Sequence, residues 1–170
     1  KNGIFEKINR FVCPSPFASN KLRTLGIPKD KITTRPHFLE GIPALKPRSK
    51  TPYILYCGRL SSEKGLKTLL HASMHVPNLE VRIAGSGPLA EEIKSWTNEK
   101  GLTHISFEGF VSGPKRWSLI CGALAIVTPS HCYETFGLSA AEAFSVARPV
   151  ISSDIGGLAD LIIPKENGFL

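Results

Sequence analysis

No run in this sequence approaches the roughly 18 apolar residues needed to cross a bilayer. Its start, KNGIFEKINRFV, lacks the apolar block of a signal peptide and opens on Lys1 rather than Met, so a fragment of a longer protein is expected. The four cysteines, Cys13, Cys57, Cys121 and Cys132, form no CxxC pair. Cys57 and Cys121 stand in apolar surroundings and read as reduced core residues of a cytosolic protein. Nothing beside Cys132 points to an activated thiolate. Zinc is not expected: His71 and His75 have helical i, i+4 spacing, but no third ligand or adjacent Glu completes a metal motif. No block of five like charges occurs, and the basic residues are scattered without interleaved aromatics, which speaks against nucleic acid as a partner.

What is present fits a soluble globular chain of one domain, or one domain and a piece of another: 170 residues, 42% hydrophobic and 21% charged. A net charge of +7, from 21 Lys and Arg against 14 Asp and Glu, favours anionic partners such as phosphorylated small molecules or anionic lipid. From Tyr53 onward short apolar runs alternate with helical stretches. YILYCG, LEVRIAGSG, HISFEGFV, ALAIVTPS, PVISSD and finally NGFL read as strands. The helices between them are SEKGLKTLLHASMHV, LAEEIKSWTNEKG, PKRWSLICG, GLSAAEAFSVA and the short GLADLII. Such alternation, without strict polar–apolar period two, predicts a doubly wound α/β domain with a parallel sheet covered on both faces. Upstream, KINRFVCPS reads as a strand and PFASNKLRTLGI as a helix. Residues 31–52 then read as a Pro-rich connector. Residues 1–42 are expected to be the end of a preceding domain plus linker, and 43–170 the α/β domain.

Ligands of open parallel sheets bind at the carboxyl ends of the strands. The residues there are Gly58, Arg59 and Lys64, then GSGP at 85–88, EGFV at 108–111, PSHCYETFG at 129–137 and SDIGG at 153–157. Arg59 can grip phosphate oxygens as a fork and Lys64 can add a point charge. The backbone N–H groups of Phe136, Gly137 and Leu138 open a helix and present orphan donors at its positive end. Together they describe a pyrophosphate cradle. In the competing structural reading, Arg59 and Lys64 pair with Glu63 or cap the next helix. GSGP lacks the third glycine of a dinucleotide fingerprint, because Ala90 stands there, and this disfavours a dehydrogenase. Glu142, among Ala140, Ala141, Ala143 and Phe144, needs a partner, and two ribose hydroxyls would satisfy it.

These segments together resemble the retaining glycosyltransferases of family four, over the carboxyl-terminal, nucleotide-sugar-binding half of their two-domain GT-B fold. YCGRLSSEKG, RIAGSGP, FEGFV, the signature region PSHCYETFGLSAAEAFSVARPVISSDIGGLADLI and NGFL carry the resemblance in order, from Tyr53 to Leu170. PSPFASNKL is similar to the last helix of the family's acceptor domain. The resemblance implies that Arg59 and Lys64 neutralise the donor diphosphate and the leaving group, and that Glu134 touches the transferred sugar. The Phe136–Leu138 backbone would hold sugar and phosphate, Glu142 the ribose, and the main chain around Phe110 and Val111 the base. Gly58 and Thr135 would complete the donor site. It further implies a metal-independent, retaining transfer at the cytoplasm or the cytoplasmic face of a membrane. The glycan or lipid-linked acceptor would be held by an amino-terminal domain that is absent, so the chain alone would be inactive. His37 stands where many relatives have Asn and, as part of a hinge, should matter little. Asp160 replaces a more usual Glu. Two alternatives are a sugar-nucleotide epimerase of the same fold and a non-enzymatic basic binding module.

Overall fold

A computed structural model of the chain describes residues 3–170; Lys1 and Asn2, the first of the expected 1–42 segment, lie outside it. Its main body is a parallel sheet of six strands: β3 (Tyr53–Cys57), β4 (Glu80–Ala84), β5 (Ile105–Gly109), β6 (Ala125–Thr128), β7 (Val150–Ser152) and β8 (Gly168–Phe169). Ahead of it, β1 (Phe11–Cys13) and β2 (Ile32–Thr34) pair in parallel as a separate small sheet. The helices are α1 (Pro16–Thr24), α2 (Leu66–Ser73), α3 (Ala90–Glu99), α4 (Gly113–Gly122), α5 (Leu138–Ser145) and α6 (Gly156–Ala159).

The large sheet runs in the spatial order β5-β4-β3-β6-β7-β8, every neighbour parallel. The chain therefore winds one way from β3 to β5, returns to the centre, and winds the other way through β6, β7 and β8. Right-handed crossovers then put helices on opposite faces of the two halves. Alternation along β3 serves both faces. Tyr53, Leu55 and Cys57 point into a core shared with α4, α5 and α6, built around Ile120, Ala140, Ala143 and Leu158. Tyr56 points the other way, into a core with Leu66, Leu69 and Leu70 of α2 and Ile93 of α3. The reversal between β3 and β6 leaves a crevice beyond their carboxyl ends, where no crossover covers the sheet.

The expected doubly wound α/β sheet is what forms. The connector expected from 31 to 52 is corrected in one respect: Ile32–Thr34 is a strand, which with β1 and α1 completes a small βαβ unit. Only three residues long and followed by Arg-Pro, it carries too little apolar pattern to register in the sequence, and its stability comes from pairing with Phe11–Cys13. α1 starts conventionally, with Ser15 Oγ accepting from the Ala18 N–H at 3.0 Å and Pro16 at the first helical position. It is also held across the fold, because the Phe17 N–H donates to Asp160 Oδ2 at 2.6 Å. Buried Arg148 fastens the irregular segment, donating to the carbonyls of Lys46, Cys121 and Ala147. No described helix is long and apolar enough to cross a membrane.

Candidate functional site

The crevice at the sheet reversal is floored by the loops after β3 and β6, which the fold ties together. The His131 N–H donates to the Glu63 carbonyl at 2.8 Å, and the His131 ring meets Thr68 Oγ1 at 3.0 Å. The second loop delivers the chain into α5 through Gly137, whose φ of +98° lies in the left-handed region that favours glycine. A Cβ there would also fall 2.4 Å from the Leu158 side chain. α5 has no side-chain cap, and among the described residues no protein acceptor meets the N–H groups of Phe136, Gly137 or Leu138. The orphan donors expected from the sequence therefore have no protein partner, and their residues line the crevice.

The charged side chains line the same crevice. Lys64 Nζ donates to Glu134 Oε1 at 2.5 Å, and Ser130 Oγ reaches the same oxygen at 2.9 Å. Both partners are about one quarter exposed, at 24% each. Two ammonium protons of Lys64 and the second oxygen of Glu134 make no protein contact, so the pair can still donate to one ligand group and accept from another. Neither cation pairs with Glu63, whose carboxyl is held below its usual range first by the Ser61 hydroxyl at 2.6 Å and then by a backbone N–H. Arg59 is exposed and, among the described residues, forms no ion pair. The Tyr56 hydroxyl donates to the Arg59 carbonyl at 2.6 Å. Burial, and then the Glu134 carboxylate, push this phenol above its ordinary range and keep it a donor.

Two cavities open side by side. One, about 500 Å³, lies between the 85–88 loop, Phe110 and Val111. The other, about 550 Å³, is walled by Lys64, Glu134, Thr135 and the mouth of α5. Gly58 and Arg59 border both. Every expected site residue except Glu142 thus lines one cavity or the other. Glu142 lies behind the wall, with its side chain 15% exposed and gripped by Arg116. Arg116 Nε donates to Oε1 at 3.1 Å, Nη2 to Oε2, and Nη1 to Cys57 Sγ at 3.2 Å. The partner that this carboxylate needs is present within the protein.

Arg116 is the main residue that the sequence reading missed. Arg116, Leu119 and Ile120 fall at i, i+3 and i+4, so an arginine on the buried stripe of a short helix was the available signal. Burial works against its charge, but Glu142 and the Cys57 thiol outweigh that and raise its pKa. His37 was also underrated. It packs edge-on against Phe136, with ring centroids 5.1 Å apart, and lines the second cavity beside the buried, unpartnered Thr128 hydroxyl. The SDIGG loop is a further correction, because its glycines admit protein backbone rather than a ligand. The Gly157 N–H donates to the Glu134 carbonyl at 2.6 Å, and a Cβ on Gly157 would stand 2.6 Å from the Thr135 carbonyl. This loop is a brace behind Glu134. Among the described residues no group of three or more His, Cys, Asp or Glu is placed to hold a metal ion.

A six-stranded parallel sheet in this order is a Rossmann-like, doubly wound domain, and it matches the corresponding domains of GT-B glycosyltransferases in fold. A family model described as glycosyl transferases group 1 matches residues 40–170, and the chain belongs to that family. It is 36% identical over 119 residues to an uncharacterized glycosyltransferase of Methanocaldococcus jannaschii, covering 68% of this chain and 30% of that protein. With the glycogen synthase of Mycobacterium tuberculosis it shares 33% over 134 residues, 74% of this chain and 31% of the enzyme. An Anabaena protein solved with UDP and glucose matches with a TM-score of 0.81 at 18% identity, over 95% of this chain and 49% of that one. That last likeness is one of fold. The chain spans about a third of the length of these two curated relatives.

Proposed function

We propose that this chain is the donor-binding half of a retaining glycosyltransferase, which moves a sugar from a nucleoside-diphosphate sugar to an acceptor hydroxyl. One observation carries the reading: unpaired N–H groups at the mouth of α5 line the same cavity as Lys64, Arg59 and Glu134. The donor diphosphate lies at the helix mouth, where N–H donors, helix dipole and the two cations gather. The base enters the cavity beside Phe110 and Val111, and the ribose lies where the two cavities meet. Glu134 accepts from sugar hydroxyls through its free oxygen. As the bond from the anomeric carbon to the diphosphate breaks, charge builds on the departing phosphate oxygens. Lys64 and Arg59 stabilise that charge without a metal, and they do so more strongly in the transition state than in the ground state. The acceptor oxygen bonds to the anomeric carbon on the face that the diphosphate left, and the acceptor hydroxyl gives its proton to the departing phosphate oxygen.

The Anabaena protein of the same fold carries UDP and glucose, which is the class of ligand proposed here. The glycan or lipid-linked acceptor is held by residues outside this chain, so the chain alone binds donor without transferring it efficiently. The surplus of positive charge suits work at an anionic membrane surface. Calorimetric titration of the chain with UDP, GDP and ADP tests the reading. Saturable binding that prefers one base and is lost in Arg59→Ala supports it. No binding of any of the three to folded protein, or equal binding by Arg59→Ala and Lys64→Ala, would overturn it.

A further inference from the structure

Glu134 and Thr135 stand between two aromatic residues, Tyr133 and Phe136, and each of these is met by a ring from the amino-terminal part of the chain. Phe17 of α1 packs on Tyr133 with ring centroids 5.0 Å apart. His37 of the connector packs edge-on against Phe136 at 5.1 Å. Lys21, one turn along α1, holds its ammonium 4.6 Å from the centre of the Tyr133 ring and 5.6 Å from that of Phe17. The Gly157 N–H donates to the Glu134 carbonyl at 2.6 Å, and three residues further on Asp160 accepts from the Phe17 N–H, also at 2.6 Å. The contacts form a closed circuit: α1 to Tyr133, Glu134 to Gly157, then along α6 to Asp160 and back to α1.

We infer that Phe17 and His37 are positioning residues for Glu134, clasping the aromatic residues on either side of it and so fixing where its carboxylate meets a ligand. What Glu134 binds rests on the donor-site reading above, which this deepens. From Cys132 to Phe136 the only backbone hydrogen bond among the described residues is the one from Gly157 to the Glu134 carbonyl. With so little hydrogen bonding of its own, the segment takes its place from side-chain packing. The coupling runs both ways. A ligand that favours the present place of Glu134 and of the α5 mouth also favours α1 seated on Asp160 and Tyr133, by the same factor.

Two amide protons report on this in the chain as it stands. The Phe17 N–H, bonded to Asp160, reports the seating of α1, and the Gly157 N–H reports the place of the Glu134 carbonyl. Hydrogen exchange at both is followed by NMR in Phe17→Ala, in Phe17→Tyr, which keeps the ring, and in His37→Ala. The Val81 N–H, bonded to the His104 carbonyl in the far half of the sheet, is the control for global stability. In both alanine variants Gly157 should exchange about fivefold faster with Val81 unchanged, and Phe17→Tyr should keep the original rate. Of UDP, GDP and ADP, the one that binds most tightly by calorimetry should bind both alanine variants about fivefold more weakly. At saturation it should slow exchange at Phe17 in the unmodified chain. Gly157 exchange and nucleotide affinity both unchanged in the two alanine variants would overturn the inference, leaving α1 and the connector as anchors only. Equal acceleration at Gly157 and Val81 would overturn it too, because the rings then serve global stability. Failure of all three nucleotides to bind the unmodified chain overturns the donor-site reading instead, and exchange at Gly157 then decides by itself whether Phe17 and His37 place Glu134.

Discussion

Two ion pairs border the same crevice, and they are built differently. Lys64–Glu134 joins two loops through one short contact, is about one quarter exposed at both ends, and leaves donors and an acceptor oxygen unused. Arg116–Glu142 joins two helices through two parallel hydrogen bonds, with Glu142 the more enclosed partner, and engages both carboxylate oxygens. A single-contact pair near solvent adds little to stability, because its Coulomb gain is offset by hydration and side-chain entropy. The forked pair is no less exposed at its arginine, 27% against 15% for Glu142. What sets it apart is that both carboxylate oxygens are engaged, so loss of one partner leaves the other without two bonds. The first pair is thus free to act on ligands, whereas the second is a built part of the wall.

The largest effect that sharpens this contrast is expected from Glu142→Ala. It leaves the Arg116 charge half-buried and unpaired and should lower folding stability by about 2 kcal/mol, measured by urea denaturation. Lys64→Ala should cost less than about 1 kcal/mol of stability. Its effect appears instead in donor affinity, where loss of a charge-assisted contact weakens nucleoside diphosphate binding about tenfold, read by calorimetry. Equal destabilisation by the two variants would break the comparison. Ala147→Gly is the control beyond the far end of α5. Ala147 holds φ at +54°, so glycine should raise stability by about 1 kcal/mol and leave nucleotide binding unchanged.

The smallest effect concerns the thiol beneath Arg116. Burial, partly opposed by Arg116, raises the Cys57 pKa above the usual thiol value. Its proton therefore contributes stability fully below the ordinary thiol pKa of about 8.5, and that share is lost as pH rises through the raised value. With a thiol reagent at mild alkaline pH, partly exposed Cys132 should react first in the native protein, and buried Cys13, Cys57 and Cys121 only on unfolding.

The sheet was legible in the sequence because its central strands are continuous apolar runs. YILYC and ALAIVT need no partner to be recognised, since burial on both faces is written into each. The three-residue β2 was not legible, because its pairing lies about twenty residues upstream and its own pattern is too short. In the site, Lys64, Glu134 and the α5 mouth were found because strand ends and a helix start mark them locally. Arg116 was not, since its meaning depends on Glu142, which only the packing of α4 against α5 brings near. The SDIGG glycines show the same limit. A glycine pair announces close backbone approach, but only the fold tells whether a ligand or the Glu134 loop approaches.

The central claim is that one nucleoside diphosphate bridges the two cavities, with its phosphates at the mouth of α5. A crystal structure of the chain grown with UDP tests it most directly. The diphosphate is expected within hydrogen-bond reach of the Gly137 and Leu138 N–H groups and of Lys64, with the base beside Val111 and the ribose where the two cavities meet. Nucleotide bound with its phosphates away from the α5 mouth, or a crevice left unfilled at saturating UDP, would contradict it.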